Sequence, residues 1–472
     1  MNFDFSTWAI RKPFPSLVLF AVLMLLGVYS YITLPITRMP NVDAPIVAVT
    51  ITQGGAAPAE LETQVTKKVE DAVSGLTGVK HIISSITDGV STTTVEFRIE
   101  TNTDRAVNDV KDAVARIRAD LPRAIDEPTT RRIDIEGGAI LTYGVSAKTH
   151  TAEEISWKID DAFIRELQSA RGVASVTRVG GVEREIRVSL DPDRLAALGL
   201  TASDVNRTLR ATNVNLAGGR GEIGAQEQSI RTIAGATTIA GLAATEIPLP
   251  GGRKARLSDL GTIVDSVAEP RQFARLDGAP VVAFSVFRAK GASDASVFEE
   301  MEKRVQKLRD ANPEFQIALI AETVSYTVGN FKSAMQTLIE GSALAVLVVF
   351  LFLRDWRATV IAALALPLSA VPTFFAIQML GFSLNLVSLL GITLATGVLV
   401  DDAIVEIENI VRHMRMGKSP YRAALEAADE IGLAVIAISL TIVAVFAPVS
   451  FMGGIAGQYF KQFGLTVAAA VI

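Results

Sequence analysis

Residues 397–409 read GVLVDDAIVEIEN, and within them Asp401 and Asp402 are adjacent carboxylates preceded by an uncharged run that reaches back to Ala358. A helix from Leu384 to Arg412 is about 42 Å long and puts Asp401 roughly 16 Å from Arg412, near the middle of a ~30 Å hydrocarbon core. An aspartate at that depth costs about 2.5–3.5 kcal/mol on insertion scales. Two side by side are a heavy penalty to carry without a use. The rival reading ends the helix at Val400 and leaves both carboxylates in water. Against it, AIVEIENIV continues the helical pattern and the next basic residue, Arg412, is 10 positions beyond Asp402. A carboxyl that exchanges between charged and neutral forms midway across a membrane can carry a proton, and two neighbours share one titration. Asp401 and Asp402 are therefore the candidate proton relay. A buried lysine or arginine partner is expected for them, and none lies in the first five apolar spans. Glu406 and Glu408 sit nearer the interface; Glu406 reads as a solvated residue and Glu408 as a candidate support for the relay.

Other chemistries find no footing. There are no cysteines, which removes disulfides, thiol catalysis and thiolate metal sites. No G-x-x-x-x-G-K-[ST] motif is present, so nucleotide hydrolysis by the P-loop route is excluded. The three histidines, His81, His150 and His413, are far apart without ligand spacing and read as scattered surface residues. No catalytic or metal site is expected, and no cofactor.

The elements that must hold the aspartates are apolar helices. The chain has 472 residues, 49% hydrophobic and 20% charged, with a net charge of −5. That balance excludes a disordered or nucleic-acid-wrapping chain. Phe14 to Leu34 is a first span of 21 uncharged residues, long enough to cross a bilayer. Arg11 and Lys12 before it place the N-terminus in the cytoplasm. A cleaved signal peptide is the weaker reading, because the run is long and no small-x-small site follows. A second span ends in 341–353, and RDWR (354–357) turns the chain. The 43 uncharged residues from Ala358 to Val400 are twice one span, so the chain reverses within them, at Gly381–Asn385. A fifth uncharged run covers Ile431 to Phe460, after a short amphipathic surface helix at Pro420–Glu430. A sixth is expected to begin near Phe463 and to be unfinished at Ile472, as in a truncated product. Arg354, Arg357, Arg412, Arg415, Lys418 and Arg422 fall in the loops after spans two and four, and the loop between spans three and four has no basic residue. That alternation suits a cytoplasmic N-terminus. Gly391, Ala395 and Gly397 give span four a small-residue packing face.

Residues 35–334 have ordinary charge density and read as a soluble region outside the cytoplasm. Segments 65–99 and 159–190 share one plan: an amphipathic helix, a Gly-Val exit, then two alternating strands about a glycine turn. Strands precede each helix (Ile46–Thr52, Ile140–Ala147) and helices follow each hairpin (Asp104–Ala119, Ala202–Thr212). The order is the ferredoxin-like split βαβ plan, in tandem. The glycine-rich 216–228 and PLPGGRK (248–254) fit neither unit, so an inserted lobe is expected at about 213–270. Val281–Phe287 and a helix at Ser293–Ala311 then resume the α/β pattern.

With these motifs in place, the chain resembles the N-terminal half of a resistance–nodulation–cell division (RND) transporter of the hydrophobe/amphiphile efflux branch, typified by acriflavine-resistance protein B. LFLRDWRATVIAALALPLS (351–369), FSLNLVSLLGITLATGVLVDDAIVEIENI (382–410), APVSFMGGIAGQYFKQFGLTVAA (447–469) and LPITRMPNVDAPIVAVTITQGGA (34–56) carry the likeness. The resemblance implies an α-helical transmembrane bundle with periplasmic α+β porter subdomains and a docking lobe. Its divisions would be 1–34 (first span), 35–138 and 139–334 (porter subdomains) and 335–472 (spans two to six). It implies a trimeric proton antiporter of the Gram-negative inner membrane, driven by the proton motive force without a cofactor. Its partners would be a periplasmic adaptor, an outer-membrane channel and hydrophobic or amphiphilic small molecules. Asp401 and Asp402 match the family's relay pair. The phenylalanines that this half of multidrug members brings to the substrate pocket align with Ala139 and Val179, which suggests a narrower or aliphatic substrate. Metal export does not fit, since residues 41–330 hold only Met301, His81 and His150 as soft or imidazole ligands. A lipid exporter or protein-translocation accessory of the same superfamily is the alternative, and a membrane receptor would not need the buried aspartates.

Overall fold

A computed structural model describes residues 5–134, 137–212, 215–223, 226–233, 235–269 and 272–472. A short helix α1 (Phe5–Arg11) leads into α2 (Pro13–Thr33), which Pro13 starts in the position where a missing N–H is harmless.

The α+β region follows. Its first unit runs β1 (Ile46–Thr52), α3 (residues 58–74, with a π-helical turn at Glu62–Thr66), β2 (Val79–Thr87), β3 (Val90–Phe97), α4 (Thr103–Arg116) and β4 (Thr129–Arg132). All pairs are antiparallel, in the order β2-β3-β1-β4. Strand β3 alternates half-buried and buried positions, as a sheet with one face on a core requires. That core packs Val47, Val49 and Ile51 of β1 against Leu61, Val65 and Val69 of α3 and Val110 and Val114 of α4. The Asn102 side chain caps α4 by accepting from the Arg105 amide at 3.0 Å.

The second unit opens with β5 (Ala139–Ser146), α5 (residues 152–168, with a π-helical turn at Ile159–Phe163) and β6 (Val173–Val179). A Thr151/Glu154 capping box starts α5. Here the expected β6–β7 hairpin does not form. Strand β7 (Arg184–Leu190) leaves the sheet and begins a long excursion. It contains α6 (Pro192–Leu198), α7 (Ala202–Thr212), β8 (Asn215–Ile223), β9 (Gln226–Ile233), β10 (Glu246–Pro248), β11 (Lys254–Arg256) and β12 (Gly261–Val267). Strand β7 pairs with β12 over seven residues, from Arg184↔Val267 to Leu190↔Gly261. The place that β3 has in the first sheet belongs in the second to β14 (Ala279–Arg288), entered through β13 (Ala274–Leu276). Helix α8 (Asp294–Ala311) and β15 (Gln316–Glu322) complete the unit. With β6 on one side of β14 and β5 and β15 on the other, the order β6-β14-β5-β15 repeats that of the first sheet. The second helix of this unit is thus α8, and α7 belongs to the excursion, whose own small core includes Val205, Ile247, Leu257 and Leu260. The glycines Gly180 and Gly181, both at positive φ, release β7 from the sheet. The expected limits of the inserted lobe, 213 and 270, lie outside the described residues.

The remaining helices are α9 (Val324–Leu353), α10 (Trp356–Met379), α11 (Leu386–Arg415), α12 (Pro420–Phe446) and α13 (Gly454–Val471). Among the described residues five helices, α2 and α9 to α12, are long and apolar enough to cross a membrane. The reversal between α10 and α11 uses Gly381 at φ +70°. Two expectations change. Residues 420–430 are no separate surface helix: Pro420–Phe446 is continuous, because AALEAADEIGLAV has no proline and its Glu430 finds Arg412 and His413 on α11. The last helix starts at Gly454, not near Phe463, and carries Lys461 on an exposed face.

Candidate proton-relay site

Helix α11 is placed at both ends. At its start the Asn385 side chain accepts from the Val387 and Ser388 amides, each at 3.0 Å, and the Ser388 hydroxyl accepts from the Asn385 amide at 3.0 Å. Its thirty residues span about 45 Å, with Asp401 close to the middle. Two turns before the aspartates, Ala395 is buried against Val467 and Ala470 of α13. Just beyond them, Ile407, with Ile404 and Val411, packs on Val349 of α9 and Ala358 and Ala362 of α10.

Asp402 is half-buried and Asp401 exposed. Consecutive helical residues point about 100° apart, so the two carboxyls leave the helix in different directions. Among the described residues neither has a hydrogen-bond or ion-pair partner. Glu406, one turn after Asp402, is half-buried and Glu408 is exposed.

The small-residue face is used in part. A Cβ on Gly391 would lie 3.2 Å from the Phe463 carbonyl oxygen and 3.3 Å from the Thr466 Cβ, so Gly391 admits α13 closely. Gly397 differs from the expectation, since a Cβ there meets nothing within 4 Å.

The sequence reading overlooked a charged clasp at the end of α11. Arg412 donates to both oxygens of Glu430 on α12 at 2.6 and 2.7 Å, and also to Asn409 Oδ1 at 2.6 Å. His413, expected on the surface, is 8% exposed. Its Nε2 lies 2.7 Å from Glu430 Oε2 and its Nδ1 lies 2.7 Å from Lys418 Nζ. Lys418 also bonds Glu426, which Arg422 holds at 3.0 Å. Asn409 Nδ2 donates to the Ala427 carbonyl at 3.3 Å. The i,i+4 spacing of Glu426 and Glu430 was the one local hint of a charged face, and nothing in the sequence turned that face toward His413. Among the described residues no three His, Asp or Glu side chains are grouped to hold a metal ion.

Ala139 and Val179 are on one sheet but apart. Ala139 of β5 faces Phe287 across the ladder, and Val179 of β6 faces Ala283. Two strand spacings and four residues along β14 separate them by about 16 Å. Ala139 borders a cavity of about 50 Å³ with Arg38, Arg288, Asp294 and Thr323, whereas Val179 is 39% exposed. A larger cleft, about 750 Å³, lies elsewhere, between α5 and the β7–β12 ribbon, lined by Trp157, His150, Phe315 and several carboxylates. Inside the same unit, Tyr143 donates to Glu302 Oε1 at 2.7 Å, and burial, helped by that carboxylate, holds its hydroxyl far above the usual phenol range.

Residues 5–472 match the model of the AcrB/AcrD/AcrF family. Multidrug resistance protein MdtC of Pectobacterium atrosepticum is 31% identical over 465 residues, covering 98% of this chain and 45% of that protein. MdtC of Escherichia coli O139:H28 is likewise 31% identical over 465 residues, with the same coverage. The chain thus spans a little under half the length of these relatives.

Proposed function

The chain belongs to the AcrB/AcrD/AcrF family, and from that premise we propose that it forms the N-terminal part of a proton-driven exporter of hydrophobic or amphiphilic small molecules. The observation that carries this reading is the pair Asp401–Asp402, set mid-length in a membrane-capable helix with no partner of its own among the described residues. A proton taken up from one side removes one of the pair's negative charges, and release to the other side restores it; the cost of an unpaired buried charge makes the two states prefer different helix packing. The relatives are named multidrug resistance proteins, which supports drugs as the substrate class over the narrower range suggested by Ala139 and Val179.

The two sheet units with matching strand order are read as split βαβ porter subdomains on the periplasmic side. The excursion from β7 to β12 is read as the docking lobe, with limits at Arg184 and Val267 instead of about 213 and 270. Assembly as an inner-membrane trimer with an adaptor and an outer-membrane channel is part of the same proposal, supported by the family match. The energetics suffice: a proton crossing about 150 mV releases roughly 3.5 kcal/mol, and each tenfold gradient of a neutral solute costs about 1.4 kcal/mol. One proton then sustains about a hundredfold gradient.

The test uses the complete transporter in proteoliposomes. An imposed pH gradient should drive accumulation of a fluorescent amphiphile, and a protonophore should abolish it, with no nucleotide present. Accumulation that ignores the gradient would refute proton coupling. Transport of lipid alone would favour the lipid-exporter reading.

A further inference from the structure

Between α2 and β1 the chain crosses from the membrane helices to the α+β region through residues 34–41, and this segment is bonded on both sides. On the membrane side, the Leu384 amide donates to the Pro35 carbonyl at 2.9 Å and the Thr37 amide donates to the Leu384 carbonyl at 3.0 Å. The Thr37 and Ser383 hydroxyls meet at 2.8 Å. Ser383 and Leu384 immediately precede Asn385, the cap of the helix that carries Asp401 and Asp402. On the other side, the Asp294 amide donates to the Ile36 carbonyl at 2.9 Å, and the Arg38 amide donates to Asp294 Oδ2 at 3.1 Å. Asp294 is in turn paired with Arg288, Nε to Oδ1 at 2.7 Å, with the two side chains only 5% and 10% exposed. Arg288 also donates to the Ala292 carbonyl at 2.9 Å. It ends β14, the strand flanked by β5, which carries Ala139, and β6, which carries Val179.

We propose that residues 34–41 are a strap that transmits movement of the relay helix α11 to the second sheet, with the buried Arg288–Asp294 pair as its anchorage. The proposal rests on the proton-exporter reading. The physical ground is that both junctions combine main-chain bonds with buried polar side chains, Thr37 2%, Ser383 3% and Asp294 3% exposed. Neither junction can slide without leaving desolvated groups unpaired, so a shift at the α11 cap is carried across instead of being absorbed. Arg288 and Asp294 are positioning residues, touching no proton or substrate themselves.

The chain has no cysteine, so Val179→Cys gives a reporter on the second sheet in a complete transporter freed of any other thiol. Its maleimide labelling rate is compared between Asp402 and Asp402→Asn, a mimic of the protonated state. With the strap intact the mimic should change the rate severalfold. With Asp294→Asn the difference should fall below twofold. A difference that survives Asp294→Asn overturns the strap alone; no difference in the intact background overturns the relay reading and the strap with it. Should Asp294→Asn fail to fold, the other junction serves. Thr37→Cys/Ser383→Cys, without the reporter, should transport several times faster oxidised than reduced, because the disulfide restores the junction in one and the same protein. Oxidation that leaves transport unchanged or slows it overturns the proposal.

Discussion

Asn385 Nδ2 donates to Gln462 Oε1 at 2.6 Å, joining the cap of α11 to α13 across 77 residues, with Asn385 1% and Gln462 7% exposed. One side chain thus both starts the relay helix and fixes it against its neighbour. Asn385→Ala should cost about 1–2 kcal/mol for the lost cap, plus about 1–3 kcal/mol for the stranded amide. Asn385→Asp keeps the cap acceptor but not the donor and should lose less. Thermal unfolding in detergent reads the order; equal losses would mean that the cap contributes nothing.

Asp401→Asn and Asp402→Asn preserve size and remove the titrating proton. In the complete transporter, export should fall to background for Asp402 and by at least tenfold for Asp401, with expression unchanged. Glu406→Gln should retain most activity. Normal pumping by both Asn variants would exclude the aspartates as carriers.

A topology test follows from the basic residues. A reporter active only in the cytoplasm should be silent when fused after Gly180 and active after Lys418. Activity at Gly180 would place the α+β region on the wrong side.

The first and third membrane helices touch through Gly27. A Cβ there would lie 2.2 Å from the Val371 carbonyl oxygen, a main-chain atom that cannot step aside. Gly27→Val should push α2 from α10, breaking the Ser30–Gln378 hydrogen bond of 2.5 Å one turn later, and lower the unfolding temperature by several degrees. Gly397→Ala, at an open position, is the control and should be silent.

Acid should act on the β7–β12 ribbon at one place. Arg184 donates to Asp265 at 2.8 Å through Nε, and that hydrogen bond holds the Asp265 carboxyl below its ordinary range. A depressed carboxyl stabilises above its unfolded pKa, about 3.9, and that support is lost as pH falls through the lower folded value. Amide exchange in β7 and β12 should therefore be flat from pH 5 to 8 after correction for the intrinsic rate and rise below about pH 4. Asp265→Asn should remove that rise.

What the sequence determined by itself was whatever local pattern dictates. Unbroken apolar runs gave the membrane helices, because a segment without charge over twenty residues has few other homes. Gly381 marked the reversal before Asn385, and the helix from Ser293 to Ala311 was legible where the α/β pattern resumes. Asp401 and Asp402 stood out because charge in such a run is costly wherever the helix packs. Tertiary structure alone decided partnership. Strands β6 and β7 look like a hairpin from their turn, yet β14, about a hundred residues on, gains the sheet because its residues Val282, Phe284 and Val286 complete the buried face. The same holds for His413: a lone histidine carries no spacing signal, and only the approach of α12 brings Glu430 to it. The strap contacts of Ile36 and Asp294, 258 positions apart, likewise have no trace in local pattern. Long-range pairing depends on which surfaces bury each other best, a comparison no single segment contains.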